Sequence, residues 1–252
     1  MRHETFSTPG PVALDVKIPS GDLDVETADI AETTVELEVH GRDGDEAERN
    51  TRIEMRRRGE GYEVVVDAER NAGIGLFRGR SGDYRVRITA PHDAALRAQV
   101  ASADIRGRGR YAEVDLKAAS GDIELEQVTG DASINTASGD IEVERVGSGK
   151  INSASGDVQI DEASGTLSVN TASGDIDLRS VASGEVKVNS ASGDVEVGIA
   201  KGSRIWVDAQ SLSGDTSSEL ELESGSPIET DEGPLVELKA RTMSGDIAVR
   251  RA

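Results

Sequence analysis

The stretch SGDIELEQVTGDASINTASGDIEVERVGSGKINSASGDV, residues 120–158, contains three copies of one short motif, Ser-Gly-Asp followed by Ile or Val. The array extends in both directions, so that strong copies begin at residues 102, 120, 138, 155, 173 and 192, the first with Ala in place of Gly. Weaker copies begin at residues 129, 148, 164 and 183. The repeat is about nine residues within a period of about eighteen, and units this short bury their apolar faces only against their neighbours.

Apolar residues recur at fixed positions around each motif and alternate with polar ones. They stand four residues before the Ser and three and five residues after it: Ala98, Leu116, Ile134, Ile151, Val169, Val188; Ile105, Ile123, Ile141, Val158, Ile176, Val195; Leu125, Val143, Ile160, Leu178, Val197. Strict alternation indicates strands with one buried face, and Ser-Gly indicates a turn. We predict an all-β, right-handed parallel β-solenoid, similar to a single-stranded β-helix or β-roll, with about 18 residues per coil.

Two further columns of identical residues follow from the same period. The first consists of the asparagines three residues before the Ser, which we predict to form a hydrogen-bonded ladder along the stack: Asn135, Asn152, Asn170 and Asn189. The second consists of glycines that should allow a positive φ at each turn: Gly121, Gly139, Gly156, Gly174 and Gly193. Both columns are predicted to be structural.

We divide the chain into three regions of one continuous structural domain. Residues 1–100 form an N-terminal β region with a hairpin at 51–67 and a glycine-rich loop at 71–83, and the polar segment 41–50 is a loop or one short helix. Residues 101–200 are the regular solenoid, and 201–252 form irregular C-terminal coils. We expect Arg250 and Arg251 to end the stack, where charge would protect an open edge from pairing.

Composition excludes several classes of site. Cysteine is absent, which excludes disulfides and thiolate metal sites. His3, His40 and His92 occur singly, and the serines are periodic, so we predict no catalytic residues, no metal ligands and no cofactor. No segment resembles a signal peptide or a membrane span, which leads us to expect a cytoplasmic protein. A solitary tryptophan, Trp206, is expected to pack over the last coils.

Acidic residues are concentrated in the repeat region, with 28 acids and 14 bases from residue 101 onward against 20 and 14 before it. Alternation directs many of them outward, which predicts an acidic face: Asp122, Glu124, Asp140, Glu142, Asp157, Asp175, Asp177, Asp194 and Glu196. Because the face is negatively charged, it would repel nucleic acid, and we expect it to bind a cationic or basic partner instead. The same aspartates could instead cap turn amides, or the charge could serve solubility.

One apolar segment lies outside the repeat. Ile74, Leu76, Phe77 and Arg78 belong to the glycine-rich loop at 71–83. Its glycine spacing does not match a phosphate-binding loop. The loop either folds back on the solenoid or contacts a protein partner or a membrane surface.

The motifs resemble a known family, the bacterial putative-adhesin, β-strand-repeat proteins of unknown function. The resemblance rests on PSGDLDV at residues 19–25, on the strand ending Thr-Ala-Pro at residues 89–91, and on the repeated Ser-Gly-Asp-Ile/Val. It implies a parallel β-solenoid with a structural or binding role and no established catalytic residues. Many relatives in this family are linked to the cell surface or tethered to a membrane.

Three functions are therefore considered. The first is a non-enzymatic structural or interaction protein with an adhesin-like role. The second is a β-helical carbohydrate-active enzyme, which would need a pair of carboxylates that interrupts the repeat. The third is a protein that binds divalent cations weakly. A buried calcium roll is not predicted, because each copy of the motif offers only one Gly and one Asp.

Overall fold

The computed structural model describes residues 1–68, 82–219 and 233–252, which form an all-β protein with one short helix, α1 (Gly44–Asn50). The strands in chain order are β1 (Arg2–Ser7), β2 (Val12–Ala28), β3 (Glu32–His40), β4 (Arg52–Arg58), β5 (Gly61–Asp67), β6 (Asp83–Pro91), β7 (Ala94–Ser120), β8 (Ile123–Ser138), β9 (Ile141–Ser155), β10 (Val158–Ala163), β11 (Leu167–Ser173), β12 (Ile176–Val181), β13 (Gly184–Ser192), β14 (Val195–Ile199), β15 (Arg204–Ser211), β16 (Thr216–Ser218), β17 (Leu235–Ser244) and β18 (Ile247–Arg251). All eighteen belong to one large, mostly parallel sheet. Within the described ranges, no helix is long and apolar enough to cross a membrane.

The strands of the repeat region pair in parallel, each residue beside its equivalent in the next repeat. Ile123 pairs with Ile141, Ile141 with Val158, and Val158 with Ile176, which are 17 or 18 residues apart in sequence. A second parallel ladder runs through β9, β11 and β13, where Asn170 lies between Asn152 and Asn189. The solenoid-like stacking therefore follows the sequence period, because each motif has the same inward and outward residues as its neighbours.

The core consists of the predicted apolar columns. Ile134, Ile151, Val169 and Val188 have no exposed surface, and the residues that follow each turn, such as Ile123 and Val158, are at most 1% exposed. Burial of an aliphatic side chain of this size contributes about 1.5–3 kcal/mol relative to exposure. A narrow stack of Val, Ile and Leu thus replaces the aromatic core of an ordinary globular domain.

The N-terminal region departs from the pure parallel pattern. The long strand β2 pairs in parallel with β7 on one side, and with β5 and β6 on the other. Antiparallel pairs then close this end: β1 with β3, β3 with β6, and β4 with β5 around a turn at Gly59-Glu60. The polar segment 41–50 contains the helix α1. The phenol of the buried Tyr111 donates a hydrogen bond to the Val25 carbonyl at 2.7 Å, which fixes β7 against β2.

The C-terminal strands are not stacked in chain order. β17 lies between β13 and β15, and β18 lies between β14 and β16, so the last strands of the chain are inside the stack. The expectation that Arg250 and Arg251 end the stack is wrong, since their strand, β18, has a partner strand on each side. This arrangement buries Val236, Leu238 and Ala240 of β17 completely, whereas no residue of β15 is buried.

Candidate interaction faces

The Ser-Gly-Asp turns of the repeat region are each built around a glycine with a positive φ. The five predicted turn glycines have φ between 113° and 133°, a conformation that residues with a Cβ rarely adopt. Space is restricted as well: a Cβ on Gly156 would lie 2.2 Å from the carbonyl oxygen of Gly139 in the preceding repeat. The turns from Gly121 onward can therefore stack closely only because each has glycine at this position.

The aspartate at the third position of each motif belongs to a continuous hydrogen-bonded row. One carboxylate oxygen of each accepts the backbone N–H of the next aspartate in the stack, at 2.8–3.1 Å. We call these residues the aspartate row: Asp104, Asp122, Asp140, Asp157, Asp175, Asp194, Asp246 and Asp215. The turn-capping alternative thus has a geometric basis, although the capped N–H belongs to the neighbouring repeat rather than to the same turn.

The aspartate row carries little compensating positive charge. Asp104, at the N-terminal end, forms an ion pair with Arg106 at 3.5 Å. The other seven aspartates are exposed, and none has a basic partner among the residues that the structure describes. Their spacing is that of neighbouring strands, about 4.8 Å. The row is therefore a line of carboxylates that is accessible and not neutralised.

The second column of the predicted acidic face is different, because arginines are interleaved with it. Glu124, Glu142, Gln159, Asp177 and Glu196 occupy equivalent register positions. Three of the acids have guanidinium partners: Arg106 to Glu124 at 3.7 Å, Arg179 to Asp177 at 3.6 Å, and Arg250 to Glu196 at 2.6 Å. Glu142 accepts a hydrogen bond from Gln159 at 3.2 Å. Sequence reasoning missed the role of Arg250, because it assumed that the strands stack in chain order.

The four asparagines of the predicted ladder are brought together in register. The Asn152 amide nitrogen donates to Asn135 Oδ1 at 2.8 Å, Asn170 donates to Asn152 at 3.0 Å, and Asn189 donates to Asn170 at 2.9 Å. Lys117 precedes this column and Arg241 follows it. The amides satisfy one another along the stack, which explains why a residue that is poor in isolated strands recurs here.

Basic side chains lie on the half of the repeat that contains the asparagines. Glu185 lies between Lys187, at 2.9 Å, and Lys239, at 3.1 Å. Hydrogen bonds from these two ammonium groups lower the pKa of the Glu185 carboxyl below its usual value. The Lys239 ammonium also lies 5.7 Å from the centre of the Trp206 ring. The two outward surfaces therefore differ: one presents uncompensated carboxylates, the other amides and paired charges.

The described residues contain no group of three or more His, Asp or Glu side chains positioned to hold a metal ion. The buried polar residues in these ranges are all Ser or Thr, so no Asp or Glu residue of the described chain is fully buried, although one oxygen each of Asp15 and Asp177 is. The three histidines lie apart, each near a hydroxyl or a carboxylate. The candidate contact loop of Ile74, Leu76, Phe77 and Arg78 lies outside the described residues.

Comparison with known proteins identifies the family. The family model described as Toastrack DUF4097 matches residues 12–250, nearly the whole chain. The chain belongs to the Toastrack DUF4097 family. This match confirms the resemblance that the repeated motif indicates. No curated protein matches the chain.

Several solved structures are similar to this member of the Toastrack family. A putative adhesin from Bacteroides fragilis has a TM-score of 0.54 at 10% identity, covering 100% of this chain and 96% of its own. A putative cell adhesion protein from Clostridium sporogenes covers 100% and 99%, with 11% identity and a TM-score of 0.31. A putative adhesin from Parabacteroides distasonis covers 98% and 96%, with 14% identity and a TM-score of 0.41. At these identities the similarity concerns the fold alone, and of these three structures the first has a TM-score above 0.5.

Proposed function

We propose that this Toastrack protein is a non-enzymatic β-solenoid, right-handed with about 18 residues per coil, that binds a basic protein partner along its aspartate row. The coil size is supported by parallel partners 17–19 residues apart in sequence, and the handedness by the general preference of parallel crossovers. The putative adhesin from Bacteroides fragilis, which has a similar fold, agrees with an interaction role.

One observation carries the proposal: seven exposed carboxylates in line without a basic partner among the described residues. Adjacent unit charges about 4.8 Å apart repel by about 0.9 kcal/mol in water, before salt screening. A cationic ligand that lies along the row relieves several of these repulsions at once. Because six of these seven carboxylates already have one oxygen held by a backbone N–H, binding requires little further ordering of the side chains.

The arrangement favours a basic polypeptide over a discrete calcium site. Calcium in proteins takes six to eight oxygen ligands, and a single line of monodentate carboxylates does not surround an ion. An enzyme acting on carbohydrates would place two carboxylates across a cleft, whereas these acids follow one line with the period of the fold. Electrostatic binding of this kind should be fast, and it should weaken strongly as salt concentration rises.

The test compares two variants with the same net charge. In the first, Asp122, Asp140, Asp157 and Asp175 are changed to Asn, which removes charge but keeps an oxygen for the backbone N–H. In the control, four acids far from the row are neutralised, each exposed and without an ion pair in the described structure: Asp29, Glu32, Asp43 and Asp45. Binding of an oligolysine peptide is measured by titration calorimetry at low salt.

We expect the row variant to bind about tenfold more weakly than the control, which corresponds to about 1.4 kcal/mol over four charges. Equal losses in the two variants would show that only net charge matters and would overturn the proposal. A tight, saturable calcium site with defined stoichiometry would replace it with a metal-binding function.

A further inference from the structure

The edge strand β15, at the C-terminal end of the stack, exposes apolar side chains. Seven large hydrophobic residues are exposed in the described chain, and five of them belong to β15, β17 or the segments beside them: Trp206, Val207, Leu212, Leu235 and Met243. Trp206 is 49% exposed, and Val207 is 37% exposed although it faces the core column. Among the described residues, β15 has a strand partner on one side only, β17. Within the described ranges, no strand therefore covers this end of the core.

The other end of the stack is protected in a way that this edge is not. Among the described strands, the outermost at that end are β1, which is antiparallel to β3, and β4, which is antiparallel to β5. Both are rich in charge, and β4 contains Arg56, Arg57 and Arg58. Charged residues on edge strands discourage pairing with another molecule. β15 has the sequence RIWVDAQS, in which no charge stands between Arg204 and Asp208. The contrast indicates that the β15 edge is suited to pairing.

The backbone hydrogen bonds show which groups of β15 face outward. Arg204 donates its N–H to the Pro234 carbonyl at 2.9 Å, on the β17 side. In a parallel ladder the N–H and C=O of one residue face the same neighbour, and successive residues alternate. Ile205, Val207 and Ala209 therefore direct their backbone groups to the free edge. These are the donors and acceptors that an added strand would use.

We propose that the occupant of this edge is a second copy of the chain, paired antiparallel through β15 about a two-fold axis at Trp206. Each Ile205 would then lie opposite the partner's Val207, and their outward backbone groups would exchange hydrogen bonds. Trp206 would face the partner's Trp206, and Arg204 would face the partner's Asp208. The open core columns of the two copies would be joined end to end. This inference concerns a different surface from the aspartate row and does not depend on the proposed function.

Charge complementarity selects this register. With the two-fold axis at Trp206, Arg204 of each copy lies opposite Asp208 of the other. If the axis lay one residue away, at Ile205 or at Val207, neither of these two pairs would form. Both charges already lie at this edge: Arg204 Nε donates to the Gly233 carbonyl at 3.0 Å, and Asp208 lies 3.8 Å from Arg241. An eight-residue edge is about 26 Å long, so the contact is small and the dimer should be weak and reversible. Because the two copies touch only at their ends, most of their acidic residues remain far apart, which limits the electrostatic repulsion between the copies.

The experiment is a charge exchange followed by sedimentation velocity over a concentration series at physiological salt. The wild-type chain should show a concentration-dependent monomer–dimer equilibrium. Arg204→Asp places two carboxylates opposite each other, Asp208→Arg places two guanidinium groups opposite each other, and each variant alone should associate at least about tenfold more weakly. An equal mixture of the two variants should restore wild-type association, because every pair across the axis is again of opposite charge.

A second readout uses the single tryptophan of the chain. Its fluorescence should shift to shorter wavelength as wild-type concentration rises, and Val207→Lys, which keeps Trp206 but charges the edge, should prevent the shift. Circular dichroism checks that each variant is folded. If Arg204→Asp does not fold, Arg204→Gln is used in its place. A monomeric wild type at all concentrations, single variants that associate like wild type, or a mixture that stays monomeric would each overturn the proposal.

Discussion

Replacing Asp140 in two ways separates its hydrogen bond from its charge. Asp140 accepts the backbone N–H of Asp157 at 2.9 Å and lies between two like charges of the aspartate row. Asp140→Ala removes both the acceptor and the charge. Asp140→Asn removes the charge but leaves a side-chain oxygen at the same place. The two variants therefore differ mainly in the hydrogen bond.

The magnitudes follow from the geometry. A hydrogen bond to a charged group contributes about 1.5–3 kcal/mol, and exposure to water reduces this to about 1 kcal/mol here. Removing the charge relieves two repulsions, each a few tenths of a kcal/mol after screening. We expect Asp140→Ala to lower the free energy of unfolding by about 0.5 kcal/mol, and Asp140→Asn to leave it unchanged or raise it by about 0.5 kcal/mol.

The assay is urea denaturation followed by circular dichroism, at low salt and at high salt. The advantage of Asp140→Asn over wild type should shrink at high salt, because it derives from relieved repulsion, whereas the deficit of Asp140→Ala should persist. Asp29→Asn, at an exposed acid away from the row, is the control for nonspecific charge removal. If Asn and Ala destabilise equally, the reasoning that assigns Asp140 a hydrogen-bonding role is refuted.

Three further substitutions test other parts of the fold through the urea midpoint. Asn152→Leu breaks two amide hydrogen bonds and should cost about 1–2 kcal/mol; an unchanged midpoint would contradict the ladder. Gly174→Ala combines a φ of 131° with a clash and should cost at least about 2 kcal/mol, whereas Gly59→Ala, where no atom lies within 4 Å, should cost only about 1 kcal/mol. Ser153→Thr should stabilise by about 0.5 kcal/mol, because Ser153 Oγ is buried without a partner while Thr171 in the same column donates to a carbonyl; destabilisation would show that the column has no room for the methyl group.

The columns of the repeat could be predicted because two periods agree. Alternation identifies the inward residues, and the recurrence of about eighteen residues identifies their neighbours. It predicts Asn152 beside Asn135 and Asn170, and the structure has a hydrogen bond from Asn152 to Asn135 and one from Asn170 to Asn152. Each match was repeated in several copies. Little long-range information was needed, since each unit contacts only the next.

The C-terminal strand order could not be predicted in the same way. β15 and β17 carry equivalent inward residues, Ile205 and Val207 in one and Val236 and Leu238 in the other. Either strand satisfies the motif beside β13. The choice depends on which segment buries more apolar surface when it is paired on both sides, which is a property of the assembled core. The hydrogen-bond partner of each aspartate in the row could not be predicted for a related reason. The Ser-Gly-Asp sequence is equally compatible with a bond to a backbone N–H of the same turn and with a bond to a backbone N–H of the next repeat.

The inserted position of β17 and β18 has a consequence for the order of events during synthesis. The segment that forms β15 and β16 leaves the ribosome before β17 and β18, yet its own place in the stack exists only after they have docked on β13 and β14. This segment must therefore remain undocked in the nascent chain, or it must pair with β13 temporarily and be displaced when β17 docks there. Folding of the C-terminal region therefore waits for β17 and β18, while the repeats before it can add one by one as they emerge.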